Sequence, residues 1–314
     1  MGGLRRVFLA AGFTAWLLAL VGASCDRKSA AEPSIDKGDK GDKGGDKTSE
    51  KATAEPTSVH EALPGLDTSK LTADKKARFF KLVDKLSSPC GKAHSLRTSL
   101  KSDSACKRAT FAARTLLRRL GDELTDEEIV ALYTNHYDAK KTVEFELGGT
   151  PFLGVPTASV VLVEFFDYGC PHCKLFAPML EEALADFPSE AVLYYKNFPL
   201  SNHADSIPAA IAAQCAQRQG KFRDMHRKLF ANQEHHGRED LTRFAKDIGL
   251  DMAKFEADFQ DPKMRERVMR DKDEGQKAEI VGTPALFING RLFTDPMSTG
   301  DIVDWIKEEQ AVAH

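Results

Sequence analysis

The chain is poor in cysteine, with six in 314 residues, and this excludes a small secreted fold held together mainly by disulfides. It has no excess of basic residues, since 44 Lys and Arg are offset by 47 Asp and Glu, which argues against a nucleic-acid-binding protein. Only one apolar run approaches the length of a membrane span, which excludes a polytopic membrane protein. What is present is the composition of a soluble globular protein, with 42% hydrophobic and 29% charged residues, over a length that predicts two globular units.

Residues 1–25 have the pattern of an export signal. Arg5 and Arg6 precede the apolar run 7–21, and small residues then lead to Cys25. This order is typical of a secretory signal, and a cysteine after small residues resembles a bacterial lipobox. We therefore expect Cys25 to be lipidated and to anchor the chain on the periplasmic side of the cell envelope. Plain cleavage and an uncleaved anchor are the alternatives, and each version exports the chain to a compartment in which disulfides persist.

Residues 26–65 are predicted to be a disordered, charged linker. They contain Asp-Lys-Gly repeated at 39–44 among Ser, Ala and Pro. Such a segment has too few large apolar residues to offset the entropy cost of ordering it. It would let an anchored domain reach bulky substrates, and it would serve equally well as a passive spacer.

Residues 66–140 are predicted to form a small all-helical segment. Phe79, Phe80 and Val83 recur at helical spacing. Thr125-Asp-Glu-Glu128 is a capping box that begins another helix. Three or four short helices are the expected result.

Cys90 and Cys106 lie between and at the edges of these predicted helices. In an exported domain, a structural disulfide that joins them is the default expectation. Two alternatives stay open, free thiols and a second redox-active pair, although neither cysteine belongs to a C-x-x-C motif.

The hydrophobic period changes within residues 141–314. Val143, Phe145 and Leu147 alternate as in a strand. The nearly all-apolar run 159–166 suits a central strand buried on both faces. After the helix that follows this run, the expected elements are a strand at 191–196, a helical insertion at about 203–277, strands at 285–289 and 291–294, and a last helix. Asn289-Gly290 indicates a hairpin between the last two strands, and the order βαβ, helical insertion, ββα predicts an α/β fold.

The clearest motif is Cys170-Pro171-His172-Cys173, between a predicted buried strand and a helix. At the start of a helix, free N–H groups and the helix dipole favour a cysteine thiolate. A proline fits the first helical turn because it has no N–H to lose. Cys173 lies within disulfide reach of Cys170, and His172 is expected to approach the Cys170 sulfur. We interpret the motif as a redox-active pair.

A zinc site and an inert structural disulfide are the other interpretations of this pair. A structural zinc ion needs four ligands, and the sequence contains no second C-x-x-C and no H-x-x-x-H. The redox interpretation involves no metal and no bound cofactor, and none is expected.

Residues 164–173, Glu-Phe-Phe-Asp-Tyr-Gly-Cys-Pro-His-Cys, and residues 282–290, Gly-Thr-Pro-Ala-Leu-Phe-Ile-Asn-Gly, resemble the DsbA family of thioredoxin-fold thiol–disulfide oxidoreductases. The similarity covers about 142–309, roughly half of the chain. It implies a thioredoxin fold with an inserted helical domain, here preceded by the all-helical segment. The dipeptide Pro-His between the cysteines is the form found in the oxidases of the family.

The resemblance also implies roles outside the C-x-x-C motif. Pro284 would be cis and lie beside the active disulfide, and Thr283 would offer backbone hydrogen bonds to a substrate strand near Cys170. Glu164 would be the buried acid that assists proton transfer, with Lys196 on the next strand as a candidate charge partner. Alternatively, Glu164 is a buried polar residue with satisfied hydrogen bonds.

The sequence therefore predicts an exported, membrane-anchored oxidoreductase that introduces disulfides into reduced exported polypeptides. Cys170 would be the nucleophile and Cys173 would resolve the mixed disulfide, and the family implies reoxidation by a DsbB-like, quinone-linked membrane oxidase. A disulfide isomerase or reductase is the nearest alternative. The family has threonine at the position of Thr283 in isomerase- and reductase-like members as well as in oxidases, so this residue leaves the direction of electron flow open, and the helical segment could mediate dimerisation. A peptide-binding chaperone that uses the groove at Pro284 is the other alternative.

Overall fold

The computed structural model describes residues 62–137 and 142–313. The predicted signal segment 1–25 with Cys25, and residues 26–61 of the predicted linker, lie outside the described residues. The prediction that the linker extends to residue 65 is wrong, because Leu63 is buried in the core of the helices that follow. The described residues belong to one compact unit. Within these two ranges, no helix has the length and apolar character needed to cross a bilayer.

The first part of the described chain is helical. Its helices are α1 (Ala73–Lys85), α2 (Leu96–Ser102), α3 (Arg108–Gly121) and α4 (Asp126–Tyr137). Thr72 and Ser95 cap α1 and α2, because each side chain accepts a backbone N–H three residues further on. Thr125 and Glu128 form the reciprocal capping box at the start of α4. The helices share a core of their own that includes Phe79, Phe80, Val83, Leu116, Leu120 and Ile129.

Cys90 and Cys106 are joined by a disulfide, with Cα atoms 5.8 Å apart. The bridge spans 16 residues and encloses α2. Cys106 is buried at the edge of the helical core. The disulfide therefore ties the loop after α1 to the start of α3.

The strands of the described chain form a sheet with the order β1-β3-β2-β4-β5. They are β1 (Phe152–Gly154), β2 (Val160–Phe166), β3 (Ala191–Asn197), β4 (Ala285–Ile288) and β5 (Arg291–Leu292). β2 and β3 are parallel, whereas the other neighbours are antiparallel. The predicted thioredoxin fold, with its mixed sheet, is confirmed.

Helices cover both faces of this sheet, which explains why β2 and β3 are so apolar. On one face lie α5 (Pro171–Ala185) and α11 (Thr299–Ala313). On the other face lies α10 (Pro262–Lys277), where Gly275 allows Phe165 and Phe198 to approach the helix backbone closely. Between β3 and β4 the chain inserts α6 (Ser206–Arg218), α7 (Phe222–Ala231), α8 (Arg238–Asp247), α9 (Met252–Gln260) and α10. The predicted helical insertion is confirmed.

The predicted strand at 143–147 is wrong. Its alternating apolar residues pack against the sheet, but the segment forms no strand. Side chains take up the backbone groups that a strand would need: Glu146 N donates to the Glu274 carboxylate at 2.6 Å, and Lys196 Nζ donates to the Glu146 carbonyl at 2.7 Å. The first strand begins instead at Phe152 and is only three residues long.

Ion pairs connect the helical segment to α11 and to the loop before it. Arg119 of α3 is buried and contacts Asp301 of α11. Further contacts join Arg118 to Asp301 at 2.7 Å, Arg108 to Glu309 at 2.8 Å and His136 to Asp295 at 2.7 Å. The helical segment is therefore joined to the thioredoxin fold by buried charges as well as by the chain.

Candidate active site

Cys170 lies at the point where α5 begins. It is the N-cap residue of α5, and Pro171 occupies the first helical position. The Cys170 N–H donates to the Asp167 carbonyl at 3.0 Å, which closes a tight turn after β2. This turn places the thiol at the positive end of the helix dipole, where negative charge is favoured.

The peptide bond between Thr283 and Pro284 is cis, and this segment lies against Cys170. The Cys170 thiol donates to the Thr283 carbonyl, with Sγ and O 3.3 Å apart. The structure thus brings together the C-x-x-C motif and the two residues expected to bind substrate, although 113 positions separate Cys170 from Thr283 in sequence.

Cys173 follows in the first turn of α5. Its exposure is 0%, whereas Cys170 keeps 5%, and both are free thiols. Burial raises the pKa of the Cys173 thiol far above its usual range, and the nearby Glu164 carboxylate raises it further. Cys173 is therefore a protonated thiol at neutral pH, and Cys170 is the less deeply buried residue of the pair.

Glu164 is fully buried in β2. Neither of its carboxyl oxygens has a hydrogen-bond partner within the part of the chain that the structure describes. Burial raises the pKa of Glu164 to about 8. No protein group among the described residues therefore pairs with Glu164, and its raised pKa favours a protonated carboxyl group at neutral pH close to Cys173.

The expected pairing of Glu164 with Lys196 is also wrong. In the parallel register, Lys196 pairs with Phe165, and Glu164 pairs with Tyr195. Since successive side chains of a strand point to opposite faces, Lys196 lies on the other face of the sheet. There it contacts the carboxylate of Glu274.

The expected hydrogen bond from His172 to the Cys170 sulfur is not formed in the described structure. His172 is exposed, and the sulfur contacts the Thr283 carbonyl instead. His172 follows Cys170 by two positions, and side chains two apart do not face each other on a helix.

Asp167 holds the loop before Cys170 and was not predicted as a site residue. Its buried carboxylate contacts Gly169 N at 2.7 Å, Leu200 N at 2.7 Å, His203 Nδ1 at 2.9 Å and the Ser206 hydroxyl. The sequence did carry a signal, because an aspartate before Tyr-Gly favours a turn closed by its own side chain. No local pattern in the sequence predicts the contacts of Asp167 with Leu200, His203 and Ser206, which follow β3.

Helix α7 holds the same loop from the other side, and its residues were also missed. His226 Nδ1 and the Tyr168 hydroxyl share a hydrogen bond of 3.1 Å. Gln233, just after α7, donates to the carbonyls of Tyr168 and Cys170 at 2.9 and 2.8 Å. Burial lowers the pKa of His226 to about 3, and the nearby Arg227 adds to this, so that the ring is neutral.

Across residues 62–137 and 142–313, no three side chains of His, Cys, Asp or Glu converge in a way that could hold a metal ion.

A family model described as thioredoxin matches residues 146–308. The chain is 34% identical to an Na(+)/H(+) antiporter NhaA 1 of Mycobacterium sp. (strain KMS) over 153 residues, which are 48% of this chain and 25% of that protein. It is 29% identical to the thiol:disulfide interchange protein DsbA of Bordetella parapertussis over 150 residues, which are 45% of this chain and 69% of that protein. The match thus spans only about a quarter of the antiporter's length.

Two solved structures are similar to about half of the chain. BdbD from Bacillus subtilis is 26% identical, with a TM-score of 0.48, and the match covers 54% of this chain and 96% of that one. A thioredoxin-like oxidoreductase from Silicibacter pomeroyi is 28% identical, with a TM-score of 0.45, and the match covers 51% and 92%.

Proposed function

Because this chain belongs to the thioredoxin family, we propose that it is a thiol–disulfide oxidoreductase that oxidises cysteine pairs in exported polypeptides. The observation that carries the proposal is the position of the Cys170 sulfur, at the N-cap of α5 and 3.3 Å from the carbonyl that precedes cis-Pro284. Cys173, one turn further on, is the buried partner for a disulfide. The similarity to a thiol:disulfide interchange protein supports the same class of chemistry.

The reaction begins with a disulfide between Cys170 and Cys173. A substrate thiolate attacks the Cys170 sulfur, a substrate–Cys170 disulfide forms, and the Cys170–Cys173 bond breaks. A second substrate thiolate then attacks the substrate sulfur of this mixed disulfide and releases Cys170. The substrate loses two electrons and gains a disulfide, while the protein pair is reduced.

Two features of the site support these roles. Attack occurs at Cys170 rather than Cys173, because Cys170 keeps some exposure and Cys173 has none. Cys173 leaves as a thiolate in a buried site where the pKa of its thiol is strongly raised, so it takes up a proton at once. Glu164, protonated below its pKa of about 8, is the nearby acid that can supply that proton.

The rim of the site suits a polypeptide substrate. Val281, two residues before Thr283, is fully exposed, and Leu175, two residues after Cys173, is 62% exposed. An extended substrate beside Thr283 would have apolar side chains to contact on both sides of Cys170. The export signal, the lipid anchor at Cys25 and a quinone-linked membrane oxidase as electron acceptor remain parts of the proposal that rest on the sequence.

The deciding experiment is the glutathione redox equilibrium of the Cys170–Cys173 pair in the full-length protein, followed by mass spectrometry of that peptide. A potential near about −120 mV would support an oxidase, and one near about −180 mV would favour an isomerase. A potential near about −270 mV would identify a reductant and overturn the oxidase proposal. A Cys170→Ser, Cys173→Ser double variant distinguishes a chaperone from a redox enzyme, because a chaperone without these cysteines would still suppress aggregation of an unfolded client.

A further inference from the structure

We propose that Gln233, immediately after α7 in the helical insertion, is a positioning residue that sets the orientation of Cys170 for thiol–disulfide exchange. The inference rests on the proposed function and adds to it a residue that touches neither sulfur. It assigns the helical insertion a part in the chemistry of the thioredoxin fold.

The Gln233 side chain holds the loop before α5 at two points. Its amide nitrogen donates to the Tyr168 carbonyl at 2.9 Å and to the Cys170 carbonyl at 2.8 Å. A primary amide carries two N–H groups, so that both bonds form together. The reverse orientation of the amide would direct its oxygen at two carbonyl oxygens, which fixes the assignment.

The Cys170 carbonyl is the group through which this contact can affect the sulfur. As the N-cap carbonyl it also accepts the first hydrogen bond of α5, from Lys174 N at 3.2 Å. The peptide that follows Cys170 is thus held from both sides. Its orientation determines whether Sγ faces the free N–H groups at the start of α5, which favour negative charge there.

Gln233 can act as a fixed support because α7 is itself firmly placed. His226 is fully buried under the site, where it contacts the Tyr168 hydroxyl and packs against the rings of Phe166 and Phe230. An element that is packed in this way positions a side chain more accurately than a free loop does. The contacts of Asp167 hold the opposite side of the same loop.

The neighbouring residue provides a matched control. Asn232 donates through its side chain to the Lys228 carbonyl at 2.8 Å and so closes the end of α7, without contacting the loop before α5. An Asn232→Ala variant therefore loosens the same helix end and leaves the Cys170 carbonyl untouched.

The test uses the full-length protein and two variants, Gln233→Leu, which removes both donors, and Gln233→Glu, which keeps the shape but cannot donate. The rate of Cys170 alkylation by iodoacetamide is measured against pH by mass spectrometry, together with the glutathione equilibrium of the Cys170–Cys173 pair. With Gln233→Leu we expect the alkylation rate of Cys170 below pH 7 to fall roughly three- to tenfold, with a shift of similar size in the glutathione equilibrium toward the disulfide. Gln233→Glu should move both readouts in the same direction, because a carboxylate cannot donate to the Tyr168 and Cys170 carbonyls.

The outcomes are distinguishable. Asn232→Ala should lower the melting temperature and leave the alkylation rate of Cys170 and the glutathione equilibrium unchanged. If the Gln233 variants do the same, Gln233 has a structural role only and the inference is overturned; should Gln233→Leu not fold, Gln233→Met, which has a similar length and neither a charge nor a donor, decides. A wild-type protein that forms no glutathione-dependent Cys170–Cys173 disulfide would overturn the proposed function, and this inference with it.

Discussion

Glu164 and Lys196 lie on neighbouring parallel strands, yet their side chains face opposite sides of the sheet. The register pairs Lys196 with Phe165 and Glu164 with Tyr195. Lys196 consequently contacts acids of α10, Asp271 and Glu274. Glu164 remains an uncompensated carboxyl group in an apolar interior beside the active-site cysteines, and this has a measurable consequence for stability.

The free energy of unfolding should depend on pH through Glu164. Its pKa is raised to about 8 in the folded protein, from an ordinary value of 4.5. Between these values the unfolded chain releases the proton and the folded chain keeps it, so stability falls as pH rises. The wild type should lose about 3–5 kcal/mol of unfolding free energy between pH 4.5 and 8, and Glu164→Gln should lack this loss. Urea unfolding at both pH values would measure the difference.

The matched control is Glu127→Gln, which changes an exposed glutamate of α4. This variant should keep the pH dependence of the wild type. An unchanged pH dependence in Glu164→Gln would show that the carboxyl ionises in the folded protein as easily as in the unfolded one, and it would remove the argument for Glu164 as a proton donor.

The two active-site cysteines should behave differently when each is replaced alone. Cys170→Ser removes the sulfur that a substrate can reach, so we expect loss of turnover and no covalent substrate complex. Cys173→Ser leaves Cys170 without its resolving partner, so mixed disulfides with substrate should accumulate. Non-reducing gels with an unfolded client protein that carries a disulfide would show the complexes, because the Cys170 thiolate attacks that disulfide, forms a Cys170–client bond and releases the other client sulfur as a thiolate. Complexes that form through Cys173 in the Cys170→Ser variant would reverse the assignment of the two roles.

Much of the site could be predicted because its signals are local. A cysteine at a strand–helix junction, a proline after it and a second cysteine one turn further on define the N-cap geometry from ten consecutive residues. Pro284 was assigned to the site from the resemblance to the DsbA family, because no local pattern in the sequence predicts its position there. The fold followed from the alternation of buried strands and helices, which the structure confirms.

The errors arose where a side chain depends on register or on distant partners. The alternating apolar residues at 143–147 do pack on the sheet, as predicted. The segment is not a strand, because the side chains of Glu274 and Lys196 form hydrogen bonds with the backbone N–H and carbonyl of Glu146. The supports of the active-site loop, His226 and Gln233, come from positions 58 to 65 residues away. No hydrophobic period encodes such contacts.

The Cys90–Cys106 disulfide should act on stability and not on turnover. It encloses α2 and lies in the core of the helical segment, in which no residue of the active-site loop takes part. Closing a loop of this length contributes about 3 kcal/mol by restricting the unfolded chain. We expect a Cys90→Ala, Cys106→Ala variant to lose about that much free energy of unfolding in urea, with an unchanged glutathione equilibrium at Cys170–Cys173. A changed equilibrium would revive the interpretation of Cys90 and Cys106 as a second redox pair.

His136 should make the junction between the helical segment and the thioredoxin fold sensitive to pH. It lies 2.7 Å from Asp295, stacks on Trp305 and faces Glu308, and Arg119 lies 3.6 Å from Asp295. Burial alone would lower the pKa of His136, but its hydrogen bond to Asp295 and the charge of the nearby Glu308 carboxylate outweigh burial and raise the pKa.

A histidine whose pKa is raised on folding stabilises the protein fully below its unfolded pKa of about 6.5, and this contribution disappears as pH rises through the folded pKa. We therefore expect His136→Gln to lower the free energy of unfolding by roughly 2–3 kcal/mol at pH 6, and the difference from the wild type to shrink as pH increases. Urea unfolding across pH 6–9 measures it, with the exposed His172→Gln as control. A difference that stays constant with pH would mean that His136 contributes only by packing on Trp305, because stacking persists when the proton is lost.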